Sequence, residues 1–191
     1  MNVLVGSSRA RDLAKDYSIK TNPAIETWFV PGGKYTNMID LVDNHTLLNH
    51  GGVPESQNQS HFYVIAGLCD VSRKESNFRQ HYKEVIFTEN VNTCVERVKH
   101  EISTLHQYIL DQNHLPIFAT IMPSHLERLN FYWLDNNITT KLDYSNQYSI
   151  MQDGLLEAIK EINSFIPSLN SSIGLSTPCL HKQVYHNKSK G

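Results

Sequence analysis

The stretch NVLVGSSRARDL, from Asn2 to Leu13, sets the pattern by which the rest of the chain is interpreted. Three apolar residues, Val3 to Val5, lead into a glycine, two serines and a helix-like pattern, which predicts a strand, a tight turn and a helix. The serines have two explanations. A serine often caps a helix by accepting a backbone N–H. Alternatively, the Ser8 hydroxyl lies exposed at the end of a sheet, beside a helix N-terminus that favours negative charge.

The same alternation continues along the chain. Apolar runs predict strands, and apolar residues at steps of three or four predict helices. Beyond Val3–Val5, strands are expected at residues 24–30, 61–68 and 115–122, and helices at 10–17, 36–48, 93–110 and 148–166. Pro167 is expected to end or bend the last helix, and residues 51–60 and 69–84 are expected to be polar loops. This order predicts one three-layer α/β domain over residues 1–191, with a parallel sheet of about four or five strands and helices on both faces.

Composition limits the classes of function. The 191 residues carry 17 Lys+Arg and 19 Asp+Glu, a net charge of −2, which argues against a dedicated nucleic-acid binder while leaving room for a local basic patch. The three cysteines lack metal-ligand spacing and the ten histidines are scattered, so neither a metal nor another cofactor is expected. No apolar run reaches membrane-spanning length and no signal peptide is recognised, so an intracellular protein without a membrane span is expected.

Polar and glycine-rich turns follow the predicted strands. Because ligands bind at the carboxyl ends of parallel strands, the residues of these turns are expected to meet in space. The turns are Gly6-Ser7-Ser8, Pro31-Gly32-Gly33, Gly67-Leu68-Cys69-Asp70 and Met122-Pro123-Ser124.

Gly-x-Ser, Pro-Gly-Gly and Gly-x-x-Asp, each after a strand and in this order, resemble the blocks of the SGNH (GDSL-type) hydrolases. The resemblance covers most of the chain. It implies a flavodoxin-like three-layer fold and cleavage of a small ester by acyl transfer. It also implies that Ser8 is the nucleophile and that the N–H groups of Ser8 and Gly32, with Gly33 as the next candidate, hold the oxyanion. The position of the family's third oxyanion donor, an asparagine, is occupied by Cys69.

Two departures from the family bear on activity. The Cys69 thiol is a weak hydrogen-bond donor where the family has an amide. The closing Asp-x-x-His block is absent, because Pro178 stands three residues before His181, the candidate general base. Asp111 and His114 have that spacing but precede a strand, at the wrong end of the sheet. Either the enzyme is degenerate, or the sequence stops before its last block. A poor esterase, or none, is expected in both cases.

A second function class is a non-catalytic module. Residues 118–130 and 162–181 also look like SGNH-type domains from retrotransposons and virus-like mobile elements of animals. Such a module would bind nucleic acid or a particle protein. Candidate anion or nucleic-acid contacts are Arg9 and Arg11 beside Ser8 and, in the loop after Asp70, Arg73, Lys74, Phe78, Arg79, Tyr82 and Lys83.

Overall fold

A parallel sheet forms the centre of the protein. The computed structural model describes residues 1–18, 25–49, 59–77, 82–126, 130 and 146–178. In this part of the chain, four parallel strands pair in the order β2-β1-β3-β6. The strands, which include an antiparallel hairpin of β4 and β5, are β1 (Asn2–Gly6), β2 (Ile25–Phe29), β3 (His61–Ile65), β4 (Arg73–Asn77), β5 (Tyr82–Ile86) and β6 (Leu115–Phe118). The helices are α1 (Ser8–Ser18), α2 (Tyr35–Asn49), α3 (Leu68–Val71), α4 (Val91–Asp111) and α5 (Asn146–Ser172).

The two faces of the sheet carry different helices. Val3 and Val5 of β1 are fully buried in a core that includes apolar residues of α2, α4 and α5. Leu4 points to the opposite face and packs in a smaller cluster with Ala10 and Leu13 of α1. This alternation follows from the two-residue period of a strand. The protein therefore has the predicted three-layer α/β fold.

Strand order places a crevice between β1 and β3. The chain runs from β1 outward to β2, returns to β3 on the other side of β1, and continues outward to β6. The direction reverses between β1 and β3, and such a switch point opens a crevice at the carboxyl ends of the strands. Gly6 closes β1 at this point, and a Cβ atom there would lie 2.2 Å from the backbone oxygen of Ile65. Only glycine permits this approach of β1 and β3.

Side chains of α5 pair with the backbone beside and beyond β6. Asn170 accepts a hydrogen bond from the N–H of Phe118 (3.0 Å) and donates one to its carbonyl oxygen (2.9 Å). Asn163 makes the same two contacts with Ile121, both at 2.7 Å. The two asparagines are seven residues apart and so lie on one face of the helix. Their amide groups take the place of a neighbouring strand at this border of the sheet.

The secondary structure departs from the expectation at two places. Residues 73–77 and 82–86, which lie mostly within the expected polar loop 69–84, form the hairpin of β4 and β5. Pro167, expected to end or bend the last helix, does not end α5, which continues to Ser172. A proline inside a helix leaves the carbonyl four residues earlier without its N–H donor. Pro167 is exposed, so that loss occurs on the solvent side of α5. Within the described residues, no helix is long and apolar enough to cross a membrane.

Candidate functional site

A cavity of about 930 Å³ opens at the carboxyl ends of the strands. Ser8, Gly32 and Cys69 all line it, although they follow three different strands. The helix α3, the hairpin of β4 and β5, and the segment leading into α4 form its remaining walls. The structure therefore brings three of the sequence-predicted site residues to one cavity.

Ser8 is the first residue of α1 and is half-buried. The preceding residue, Ser7, holds the cap position, because its carbonyl oxygen accepts the N–H of Arg11 (3.3 Å). Ser7 is fixed further by donating its own N–H to the carbonyl oxygen of Ile65 (3.1 Å). Backbone N–H groups in a first helical turn have no acceptor within the helix. Ser7 thus holds the cap position of α1, while Ser8 lines the cavity.

The two glycines after β2 differ in their roles. Gly33 donates its N–H to the carbonyl oxygen of Val30 (2.9 Å), which commits that group to the turn. Gly32 is exposed, lines the cavity and has a φ of 71°, in the left-handed region that glycine adopts at little cost. Of the two candidate oxyanion donors, Gly32 is therefore the one placed at the cavity.

Cys69 and Asp70 belong to the short helix α3 after β3. Cys69 is half-buried and lines the cavity. Asp70 is only 3% exposed, and its Oδ1 accepts the backbone N–H of Tyr35 (3.1 Å) at the start of α2. This hydrogen bond ties the loop after β3 to the loop after β2, so Asp70 holds together two walls of the cavity.

A second buried carboxyl group, that of Glu101 on α4, lies within hydrogen-bonding reach of Asp70. Apart from this contact, Asp70 Oδ2 and Glu101 Oε2 are buried without a hydrogen-bond donor among the described residues, and the Tyr35 hydroxyl is buried without a partner beside them. The pKa of Asp70 is raised to about 7, mainly by burial and also by Glu101, while the Tyr35 N–H and Lys34 oppose the rise. A proton held between the two carboxyl groups gives both oxygens a partner.

Arg97 of α4 anchors the cavity wall. Its guanidinium donates to Glu89 (2.7 Å), to Glu101 (3.2 Å) and to the backbone oxygen of Asp70 (2.9 Å). These hydrogen bonds lower the pKa of Glu89 and raise that of Arg97. Arg97 is therefore a fixed structural charge that orients the loop carrying Cys69 and Asp70.

The predicted anion contacts divide into two groups. Arg73 and Lys74 of β4 line the cavity, and Lys34, which the sequence did not single out, joins them from the loop before α2. Arg11 forms an ion pair with Asp12 (3.3 Å) and does not line the cavity. Arg9 lies on α1 and Lys83 on β5. Besides Arg97 of α4, the basic residues that line the cavity come from the loop after β2 and from β4.

Histidine is missing from the described lining of the cavity. His181 lies outside the described residues, as do Phe78 and Arg79. His114 is at the opposite end of the sheet, where its Nδ1 accepts the N–H of Ser60 (3.3 Å). In the parts of the chain that the structure describes, no group of three His, Cys, Asp or Glu side chains could hold a metal ion.

Glu101 and Arg97 are functional neighbours of the site that the sequence analysis missed. Both lie on α4, about thirty residues after Cys69. The spacing of apolar residues in this helix predicts only which face is buried. A carboxylate and an arginine four residues apart form a common surface pair on helices. Their approach to Asp70 depends on how α4 packs, so no local signal distinguishes them.

Comparison with known proteins finds similarity to a solved structure but no matching family. No model of a protein family matches the chain, and no curated protein matches it. Among solved structures, a GDSL-like lipase from Bacteroides thetaiotaomicron is similar, with a TM-score of 0.49 and 10% sequence identity. The alignment covers 93% of this chain and 66% of the lipase, so the chain spans just under two thirds of that protein's length.

Proposed function

We propose that this chain is an SGNH-type serine esterase acting by acyl transfer at Ser8, with an oxyanion site weakened by Cys69. The observation that carries the proposal is the shared cavity of Ser8, Gly32 and Cys69. The cap position of Ser7 adds support, because it leaves the Ser8 side chain without a capping role.

In the proposed reaction, Ser8 Oγ attacks the carbonyl carbon of a small ester, and its proton passes to His181 as general base. The backbone N–H groups of Ser8 and Gly32 stabilise the oxyanion. The alcohol leaves with the proton from His181, and water then releases the acyl group from Ser8. Loss of one oxyanion donor typically slows such reactions about 10²–10³-fold, so slow turnover is expected with Cys69 in place of the amide.

Hydrolysis of p-nitrophenyl acetate tests the proposal. Slow release of p-nitrophenol is expected from the unmodified chain and from the control Ser7→Ala, and none above background from Ser8→Ala. Ser7 is the matched control because it adjoins Ser8 but does not line the cavity. Circular dichroism establishes that both variants fold. Equal rates for all three proteins overturn the assignment of Ser8.

A second candidate function is a non-catalytic module that binds nucleic acid or a protein partner in a mobile-element protein. It is favoured by the lining itself, where the described residues include no histidine and where Cys69 replaces the amide donor. Electrophoretic shift of a single-stranded oligonucleotide over a salt series tests it, because phosphate contacts weaken as salt rises. Salt-dependent oligonucleotide binding that persists in Ser8→Ala, together with esterase rates at background, favours the non-catalytic module.

A further inference from the structure

Basic residues predominate in the lining of the Ser8 cavity. The described lining holds four basic side chains, Lys34, Arg73, Lys74 and Arg97, and two acidic ones, Asp70 and Glu89. The chain as a whole has a net charge of −2, so the positive excess is local. A cleft lined by one sign of charge concentrates ligands of the opposite sign.

The acidic side chains do little to offset this excess. Glu89 is engaged by Arg97 through two hydrogen bonds, at 2.7 and 3.2 Å. Asp70 is buried, and because burial raises its pKa to about 7, it carries less than a full negative charge near neutral pH. Lys34 is exposed, and no carboxylate oxygen of the described residues lies within 4.0 Å of its amine. Lys34 is thus a cation at the cavity with no ion-pair partner among the described residues.

The hairpin supplies positive charge from the other side of the cavity. Arg73 and Lys74 are both exposed, and the contact of Arg73 with Glu75 is long (3.9 Å) and solvent-facing. Both residues line the cavity, and because neighbouring side chains of a strand point to opposite sides, they approach it from different sides of β4. Leu68, Val71, Ile86 and Phe87 give the same cavity an apolar surface.

We propose that the Ser8 cavity selects an ester bearing an anionic group, a carboxylate or a phosphate, which Lys34 and a basic residue of β4 bind while the apolar surface holds the rest of the molecule. The role of Ser8 in this proposal rests on the proposed function. The cavity volume of about 930 Å³ accommodates a small aromatic or alkyl ester. An anion there gains charge-assisted hydrogen bonds from both walls.

Matched esters test the selection. We would compare kcat/KM for methyl 4-acetoxybenzoate, which is neutral, with kcat/KM for 4-acetoxybenzoate and 4-acetoxyphenyl phosphate. The ratio of anionic to neutral ester is expected to be roughly ten or more for at least one anion. It should fall towards one in Lys34→Gln and decrease in the double variant Arg73→Gln/Lys74→Gln. Arg11→Gln, a control outside the cavity lining, should keep it.

The outcomes separate this proposal from the proposed function. A ratio near one for both anions, or a ratio unchanged in Lys34→Gln and in the double variant, overturns the anionic selection. If no ester is hydrolysed, the proposed function fails, and calorimetric titration of Ser8→Ala with 4-acetoxybenzoate decides the anion site. If 4-acetoxybenzoate binds and Lys34→Gln weakens the binding, the anion site is supported even without catalysis. If it does not bind, the anion site is overturned.

Discussion

The carboxyl group of Asp70 on α3 lies within hydrogen-bonding reach of that of Glu101 on α4, and Arg97 donates both to the Glu101 carboxylate and to the backbone oxygen of Asp70. Two carboxylates in contact repel each other when both are ionised, and burial adds to that cost. The pair is therefore most stable with one proton.

The first prediction is that stability falls as pH rises. The pKa of Asp70 is raised by burial from its ordinary 3.8 to about 7, so between these values the folded protein keeps a proton that the unfolded chain releases. The stabilisation is complete below about pH 4 and is lost as pH passes 7, where Lys34 and Arg97 are the cations that oppose the repulsion. Asp70→Asn should flatten this dependence, because its amide donates to Glu101 at every pH.

Urea unfolding at several pH values between 4 and 8 measures this effect. Asp153→Asn, an exposed carboxylate on α5, is the control and should keep the slope of the unmodified protein. An unchanged slope in Asp70→Asn would exclude the carboxyl pair as its source.

The second prediction is that Cys69→Asn increases p-nitrophenyl acetate hydrolysis. The amide supplies a strong donor on the cavity wall where the thiol is a weak one. The gain should reach at most about 10²–10³-fold, the usual effect of one oxyanion donor. Cys69→Leu, which changes size without adding a donor, should give no increase. If Cys69→Asn and Cys69→Leu behave alike, Cys69 does not stand at the oxyanion.

The third prediction concerns Asn170, which is fully buried against Phe118. Asn170→Ala leaves the N–H and carbonyl of Phe118 without partners in the interior. The free energy of unfolding should fall by about 2–4 kcal/mol, since each buried unpaired group costs about 1–3 kcal/mol. Denaturant unfolding measures the loss, and the exposed Ser168→Ala on the same helix should change stability little. Similar stabilities for the two variants would contradict the pairing.

The fourth prediction is that Gly6→Ala destabilises the protein by about 3 kcal/mol or more, because the new methyl group overlaps the backbone oxygen of Ile65 and the Cβ of Ala10. Gly174→Ala provides a comparison. A methyl group there meets open space, and only its φ of 75° opposes the change, which should cost about 1–2 kcal/mol. Thermal or urea unfolding ranks the two, and an equal loss would show that crowding at Gly6 is relieved by movement.

Burial patterns made the central sheet predictable. Val3 to Val5 and Phe62 to Ile65 are apolar because both faces of these strands are covered, and the sequence reflects this directly. The strand RKESN at Arg73–Asn77 has no alternation of apolar residues that would predict it from sequence. It forms through backbone pairing with β5. The rule that proline ends a helix is local and takes no account of packing. The helix α5 continues past Pro167 because its buried face, including Ile166 and Asn170, packs against the core.

Only those residues of the candidate site that directly follow a strand could be predicted from the sequence. Ser8, Gly32 and Cys69 each follow a strand, so the rule for parallel sheets brings them together. Lys34 follows Gly33 in the loop before α2, where no pattern marked it as a site residue. Glu101 approaches Asp70 through the packing of α4. Contacts of that kind join residues far apart in the chain and leave no local periodicity.

The amide groups of Asn163 and Asn170 have a consequence for assembly. Proteins with an open sheet border can recruit an extended peptide, or a second copy, as an additional strand. At Phe118 and Ile121 an incoming peptide would first have to displace four hydrogen bonds made by these two asparagines. Strand addition at that border is therefore opposed by the protein's own side chains.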